Sequence, residues 1–277
     1  MKIIVYTSVA PNSLDRFPLK MVEFDGWQIE NRPHTVTPQQ GLTDWMLGCW
    51  QQVIAEQQDI ADEIPFKSER MDTAEFILIF KHNDFEVTDE INFLSQITGL
   101  IKHGTADLIG VAGTRSFDPT QRKPSGSYMR WTEFEPTNEK AGLIKHELNG
   151  IDYQTFYGVP GRVKIIDGCC MVCSGRLAPQ IENLLTPKFH RDWYDIAFSW
   201  NVHQAGFSVY VINSLVKHES AGEYGLNWLK EGHEFFAHYG QYQPPESQER
   251  GHKDRPPEVG ESDPEPAGVP GGAIATD

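Results

Sequence analysis

Five consecutive apolar residues, Phe76-Ile77-Leu78-Ile79-Phe80, carry the pattern of a strand buried on both faces. The polar cluster Lys81-His82-Asn83-Asp84 follows at once. Around this stretch the chain alternates between extended and helical patterns. Lys2 to Thr7 predicts a first strand, with a small polar turn over Ser8 to Asn12, and Met21 to Trp27 a second extended piece. Residues 33–40 read as loop. Leu42, Trp45, Met46, Cys49, Trp50, Val53 and Ile54 then recur at the three-and-four spacing of one helix face. A helix is expected from Thr88 to His103, capped by Thr88, with Ile91, Leu94, Ile97 and Ile101 on its buried face.

Asp107 to Gly113 predicts a strand ending in glycine, and Arg162 to Cys173 a strand interrupted at Asp167-Gly168. Short helices follow around Leu177 to Leu185 and Trp193 to Ala205, then a strand over Phe207 to Ile212 and a last helix ending near Tyr239. Strand, helix and strand joined by short connections indicate an α/β fold with parallel βαβ units. Between Thr114 and Gly161 the pattern dissolves into a long loop. Arg115, Arg122, Lys123 and Arg130 stand there with one acid, Asp118, before Trp131.

Composition narrows the picture. The 277 residues, 39% hydrophobic and 11% aromatic, suit one catalytic domain over residues 1–240 followed by a tail. Residues 241–277 are rich in Pro, Gly and acids and almost devoid of apolar side chains, so a disordered tail is expected. A formal charge of -15 argues against wholesale nucleic-acid binding. No apolar run approaches a membrane span and no signal peptide opens the chain, so a soluble cytoplasmic protein is expected. The four cysteines are expected to be reduced thiols.

Several familiar constellations fail on spacing. Cys169, Cys170 and Cys173 lack a second pair for structural zinc, and a strand points the first two to opposite faces. His233 and His238 are five apart rather than four. No phosphate-binding loop, nucleophile elbow or dinucleotide fingerprint is present. Four polar clusters at strand ends or helix starts remain: His82 to Asp84, Asp167-Gly168, Asp192 to Asp195, and His218-Glu219. In an open α/β sheet such clusters converge beyond the strand ends, where ligands bind. Asp84 reads either as a ligand or metal carboxylate or as a strand-ending turn residue. Asp195 reads either as a base or as a first-turn carboxylate favouring the helix dipole.

These residues carry a resemblance. Asp167-Gly168, Phe189 to Phe198, Ala205-Gly206-Phe207 and Lys217 to Gly222 resemble, in the same order, segments of the family-2-like glycosyltransferases of the A-type fold. The branch grouped with a streptomycin-biosynthesis protein is the nearest. Gly41-Leu42, Phe76 to Asp84 and Ile109 to Gly113 extend the likeness to residues 1–240. His82 and Asp84 stand where that family carries two acids, and Ala197 where a second acid often follows the Tyr-Asp pair.

The resemblance implies an A-type glycosyltransferase fold, with a single mixed, mostly parallel sheet flanked by helices. It also implies a metal-dependent, inverting transfer of a hexose or pentose from a nucleotide-diphosphate sugar donor to a hydroxyl acceptor. Mn or Mg would be held by Asp84, with His218 as a second ligand and histidine biasing the site toward Mn. His218 also reads as a buried histidine satisfied by a backbone carbonyl. Asp195 would be the catalytic base, and Thr7, Ser8, His82, Asp84, Asp167 and Gly168 would line the donor site, the Asp167-Gly168 pair lying either under the donor sugar or on the acceptor side. The acceptor could be a glycan, a small molecule or a modified DNA base, with Arg115 to Arg130 tracking phosphates in the last case. An inactive nucleotide-sugar-binding or interaction protein of the same fold is the alternative, marked by the altered acidic pair and Ala197.

Overall fold

A computed structural model describes residues 1–11, 13–37, 40–63, 76–120, 137–148, 151–189, 191–219 and 225–240. Asn12, Arg122, Lys123, Arg130, residues 220–222 and the expected tail, 241–277, lie outside the described residues. The strands, in chain order, are β1 (Lys2–Val9), β2 (Glu23–Phe24), β3 (Trp27–Thr35), β4 (Phe76–His82), β5 (Phe85–Val87), β6 (Leu108–Gly110) and β7 (Ala112–Thr114). They continue as β8 (Lys140–Leu148), β9 (Ile151–Gly158), β10 (Gly161–Val163), β11 (Ile165–Ile166), β12 (Cys170–Ser174), β13 (Val209–Val211) and β14 (Val216–His218). The α-helices are α1 (Leu42–Glu63), α2 (Glu90–Lys102), α3 (Ile181–Leu184), α4 (Tyr194–Gln204) and α5 (Leu226–Tyr239).

The strands form two sheets, where one mostly parallel sheet was expected. The larger has the order β10-β13-β6-β12-β4-β1-β3-β2, the smaller β11-β7-β8-β14-β5 with β9 added beside β8. Both are mixed. In the larger, β1 runs parallel to β3 and β4, and β6 to β13, while β12 lies antiparallel between β4 and β6. Asp167-Gly168 is the cause of that reversal. It brings the chain in at the carboxyl end of β4, so Cys170 pairs with Lys81 and β12 runs back.

The second sheet arises from four short crossings. β4 passes into β5, β6 into β7, β10 into β11 and β13 into β14, each pair contributing one strand to each sheet. The run read as one strand ending in glycine therefore breaks at Val111. Gly113 is required in β7, because a Cβ there would lie 2.2 Å from the Ile165 carbonyl oxygen of the adjacent strand.

The alternation of the central strands fixes the core. Ile3, Val5, Ile77 and Ile79 pack in one buried cluster with Phe93, Leu94 and Ile97 of α2. Ile4, Tyr6, Leu78 and Phe80 pack in the other with Trp45, Met46, Cys49 and Trp50 of α1. Both faces of β4 are covered, as its unbroken apolar run requires.

Three local expectations are corrected. Asp89, not Thr88, caps α2, its Oδ1 accepting the Asn92 N–H at 3.0 Å while the Thr88 hydroxyl donates to the Leu215 carbonyl. The buried stripe of α2 is Phe93, Leu94, Ile97 and Thr98, which leaves Ile91 to its side and 65% exposed. The segment from Thr114 to Gly161 is not simply loop, since β8 and β9 form a hairpin within it. β8 buries Ala141, Ile144 and His146, whereas β9 is half-buried or exposed along its whole length.

Candidate functional site

The carboxyl ends of β1 and β4 and the start of β12 lie at the same end of the larger sheet. At that end β4 turns through Asn83-Asp84 into β5, and β14 pairs antiparallel with β5 so that His218 stands opposite Phe85. Register therefore brings together two residues more than a hundred apart in sequence. The Glu219 N–H donates to the Asp84 carbonyl at 3.1 Å, and His218 Nε2 lies 3.4 Å from Asp84 Oδ1. His82, Asp84 and His218 form one group, with a ligand atom of each within 4.8 Å of the others. His82 thus belongs with the two residues expected to hold a cation.

A hydrogen bond to Tyr194 orients His82. Tyr194 Oη donates its single proton to the Gly168 carbonyl at 3.1 Å. His82 Nε2 lies 2.9 Å from Tyr194 Oη and, with the proton so placed, donates to it, which leaves the lone pair on Nδ1. Burial, with the neighbouring His218, holds the His82 pKa down to about 4, so the ring is neutral near pH 7. A neutral imidazole oriented through its second nitrogen is the form that ligates metals.

His218 differs. Burial opposes its charge, but the hydrogen bond and charge of Asp84, with Asp167 and Glu219 behind, outweigh burial and raise its pKa. Without a cation, His218 and Asp84 pair with one another. Two imidazoles and one carboxylate suit Mn, Fe, Co or Zn better than Mg, which prefers an all-oxygen shell. The donor set fits a divalent transition metal.

Gly168 is held where α4 begins. Its N–H donates to Asp195 Oδ2 at 2.7 Å, and a Cβ at this position would lie 2.4 Å from Tyr194 Oη. Asp195 Oδ1 accepts the Ile196 N–H at 2.8 Å, leaving each carboxylate oxygen one further lone pair. Burial, then the charge of Asp167, pushes the Asp195 carboxyl up to about 8 against the pull of these amides. Asp167 Oδ1 accepts the Cys169 N–H at 3.0 Å, and its charge acts on His82, His146, His218 and Asp195 alike. The structure thus gathers His82, Asp84, Asp167, Gly168, Asp195 and His218 around one end of the sheet.

Thr7 and Ser8 occupy the neighbouring strand end. Thr7 is fully buried, its hydroxyl donating to Asp15 Oδ2 at 2.6 Å, and Ser8 Oγ donates to the Lys81 carbonyl at 3.5 Å. Four residues of this neighbourhood had no role assigned from sequence. Lys81 is buried in the strand and pairs with Asp15 at 3.0 Å. Tyr194 orients His82. His146 of β8 stands in register with His218, their ring centroids 6.3 Å apart, and its Nδ1 is buried with no hydrogen-bond partner among the described residues. The signal for Lys81 was present, as a lysine inside a fully apolar strand needs a buried acid. His146 lay in the segment read as loop.

Tyr194→Phe removes the hydroxyl that fixes His82 and is expected to weaken Mn(II) binding about tenfold, as loss of a group supporting a metal ligand does. Calorimetric titration of native and variant protein checks this, and equal affinities would show that Tyr194 does not orient the ligand.

No family model matches the chain, and the search of curated proteins finds no match. Among solved structures, A197 from STIV is similar over 77% of this chain and 83% of its own, at 13% identity and a TM-score of 0.37. That likeness is too distant to bear on function. Among the described residues, no helix is long and apolar enough to cross a membrane.

Proposed function

We propose that this chain is a metal-dependent glycosyltransferase that moves a sugar from a nucleotide-diphosphate donor to a hydroxyl acceptor, with inversion, on an A-type glycosyltransferase fold. The observation that carries the reading is the convergence of His82, Asp84 and His218 beside Asp167 and Asp195 at the strand ends. In this reading His82, Asp84 and His218 hold Mn(II), which when bound neutralises the diphosphate as it leaves. The acceptor oxygen bonds to the anomeric carbon as the bond to the diphosphate oxygen breaks. Asp195 takes the hydroxyl proton, its raised pKa suiting a base that works near neutral pH. Gly168, lacking a Cβ, lets the backbone and Asp195 close up beneath the sugar.

A panel of nucleotide sugars with and without Mn(II), read as release of nucleoside diphosphate, tests the proposal. Turnover of one donor only with metal supports it, and no binding of any donor ends it. A second reading, an inactive nucleotide-sugar-binding protein, is favoured by one detail. Both Asp195 oxygens already accept backbone N–H groups, which is what a purely structural carboxylate would do. Donor binding without turnover would support that reading.

The pH dependence separates the two roles. The folded-state pKa of Asp195 is raised, so kcat/KM is expected to rise with pH along a limb titrating between about 4 and 8, a bound cation drawing it toward the lower end. Asp167→Asn removes a negative neighbour and should move that limb to lower pH. A profile unchanged by Asp167→Asn would detach the limb from Asp195.

A further inference from the structure

The β8–β9 hairpin runs past the level of the cation group. β8 lies parallel to β14, with His146 opposite His218, and continues beyond it before β9 returns. Pairing of His146 with Tyr153 and of Ile144 with Thr155 puts these four side chains on one face of the hairpin. Farther in, that face joins the core at Ile144. At the level of His218 it does not. There the Tyr153 ring lies over His146 at 5.0 Å and 20°, with Tyr153 40% exposed and Ile151, on the same face, 69% exposed. One side of the tyrosine ring is covered by the buried histidine beside His218, and much of the rest meets solvent.

We infer that Tyr153, stacked on His146, is the platform of the acceptor subsite, and that the acceptor it takes is a saccharide ring. This rests on the transferase reading above. An aromatic face beside the reacting centre suits a ring that presents C–H bonds to the platform and keeps its hydroxyls free, one of them for transfer.

Saturation-transfer NMR with methyl glycosides of glucose, galactose, mannose and xylose tests the inference without requiring turnover. Native protein and Tyr153→Phe should saturate the ring C–H protons of at least one glycoside. Tyr153→Ala should weaken that binding about tenfold, the loss of one aromatic stacking contact. Its melting temperature, Mn(II) affinity and metal-dependent hydrolysis of the donor should stay at native levels. Binding of no glycoside by native protein overturns the inference, as does binding that survives Tyr153→Ala. Tyr153-dependent binding of a short DNA duplex in place of glycosides overturns the saccharide assignment. Failure of the transferase reading shows separately, as absence of donor hydrolysis in the native protein.

Discussion

Asp84→Asn is expected to abolish Mn(II) binding at micromolar concentration and, with it, all metal-dependent turnover. The carboxylate is the single anion of a group otherwise made of two imidazoles. Its loss should cost at least the ~10–100-fold that removal of a merely supporting group costs. The same carboxylate raises the pKa of His218, so in the native protein a cation must displace a proton from that ring. Native affinity should therefore increase with pH until His218 is neutral, with proton release on binding that disappears in Asp84→Asn. Calorimetry in two buffers of different ionisation enthalpy measures both. Full Mn(II) affinity in Asp84→Asn would remove the group from consideration as a metal centre.

Asp15→Ala is expected to cost about 3–5 kcal/mol of stability, because it leaves Lys81 as a buried cation without its partner. Lys81 is 1% exposed, and burial pushes its pKa below the ordinary lysine range against the opposing charge of Asp15. The Thr7 hydroxyl and the Phe17 N–H lose their acceptor in the same step. A fall in melting temperature of roughly 10 °C should follow. The double variant Asp15→Ala with Lys81→Met should recover much of it, since an apolar replacement of a buried pair is often near neutral. A single variant that melts with the native protein would mean the pair contributes nothing. The loop that Asp15 anchors also carries Arg16, whose N–H donates to Asn83 Oδ1 at 2.9 Å and whose guanidinium pairs with Glu219 at 2.6 Å. Loosening it should therefore be felt at the Asp84 turn.

The central strands and the helices covering them were legible because β1 and β4 bury both faces and α1 carries a continuous apolar stripe. The polar clusters were legible for the related reason that each interrupts or ends such a pattern. Sheet number and strand direction were not. β5, β7, β11 and β14 are two or three residues long, too short for any periodicity, and their pairing is set by contacts across the chain. The cation group was half legible. Asp84 and His218 were named, but the place of His82 depends on Tyr194 and on the register of β14 against β5, which no local pattern reports. His146 was hidden because the buried position after Ile144 in β8 is filled by a histidine among charged residues rather than by an apolar side chain.

Gly142 sits at the base of the hairpin with φ +117, at an irregularity in the β8–β9 pairing, where any Cβ would lie 2.1 Å from the Val111 carbonyl oxygen. Its conformation and closeness to β7 tie that point to the frame, whereas β9, the outer strand of the ribbon, contributes little to the core. Mutational drift is thus partitioned. Substitutions at the exposed positions of β9 can change what the ribbon touches at small thermodynamic penalty, while those at Ile144, Lys145 and His146 of β8 meet the core or the strand that carries His218. A lineage of such chains would be free to vary that outer strand and keep the frame around His218 intact.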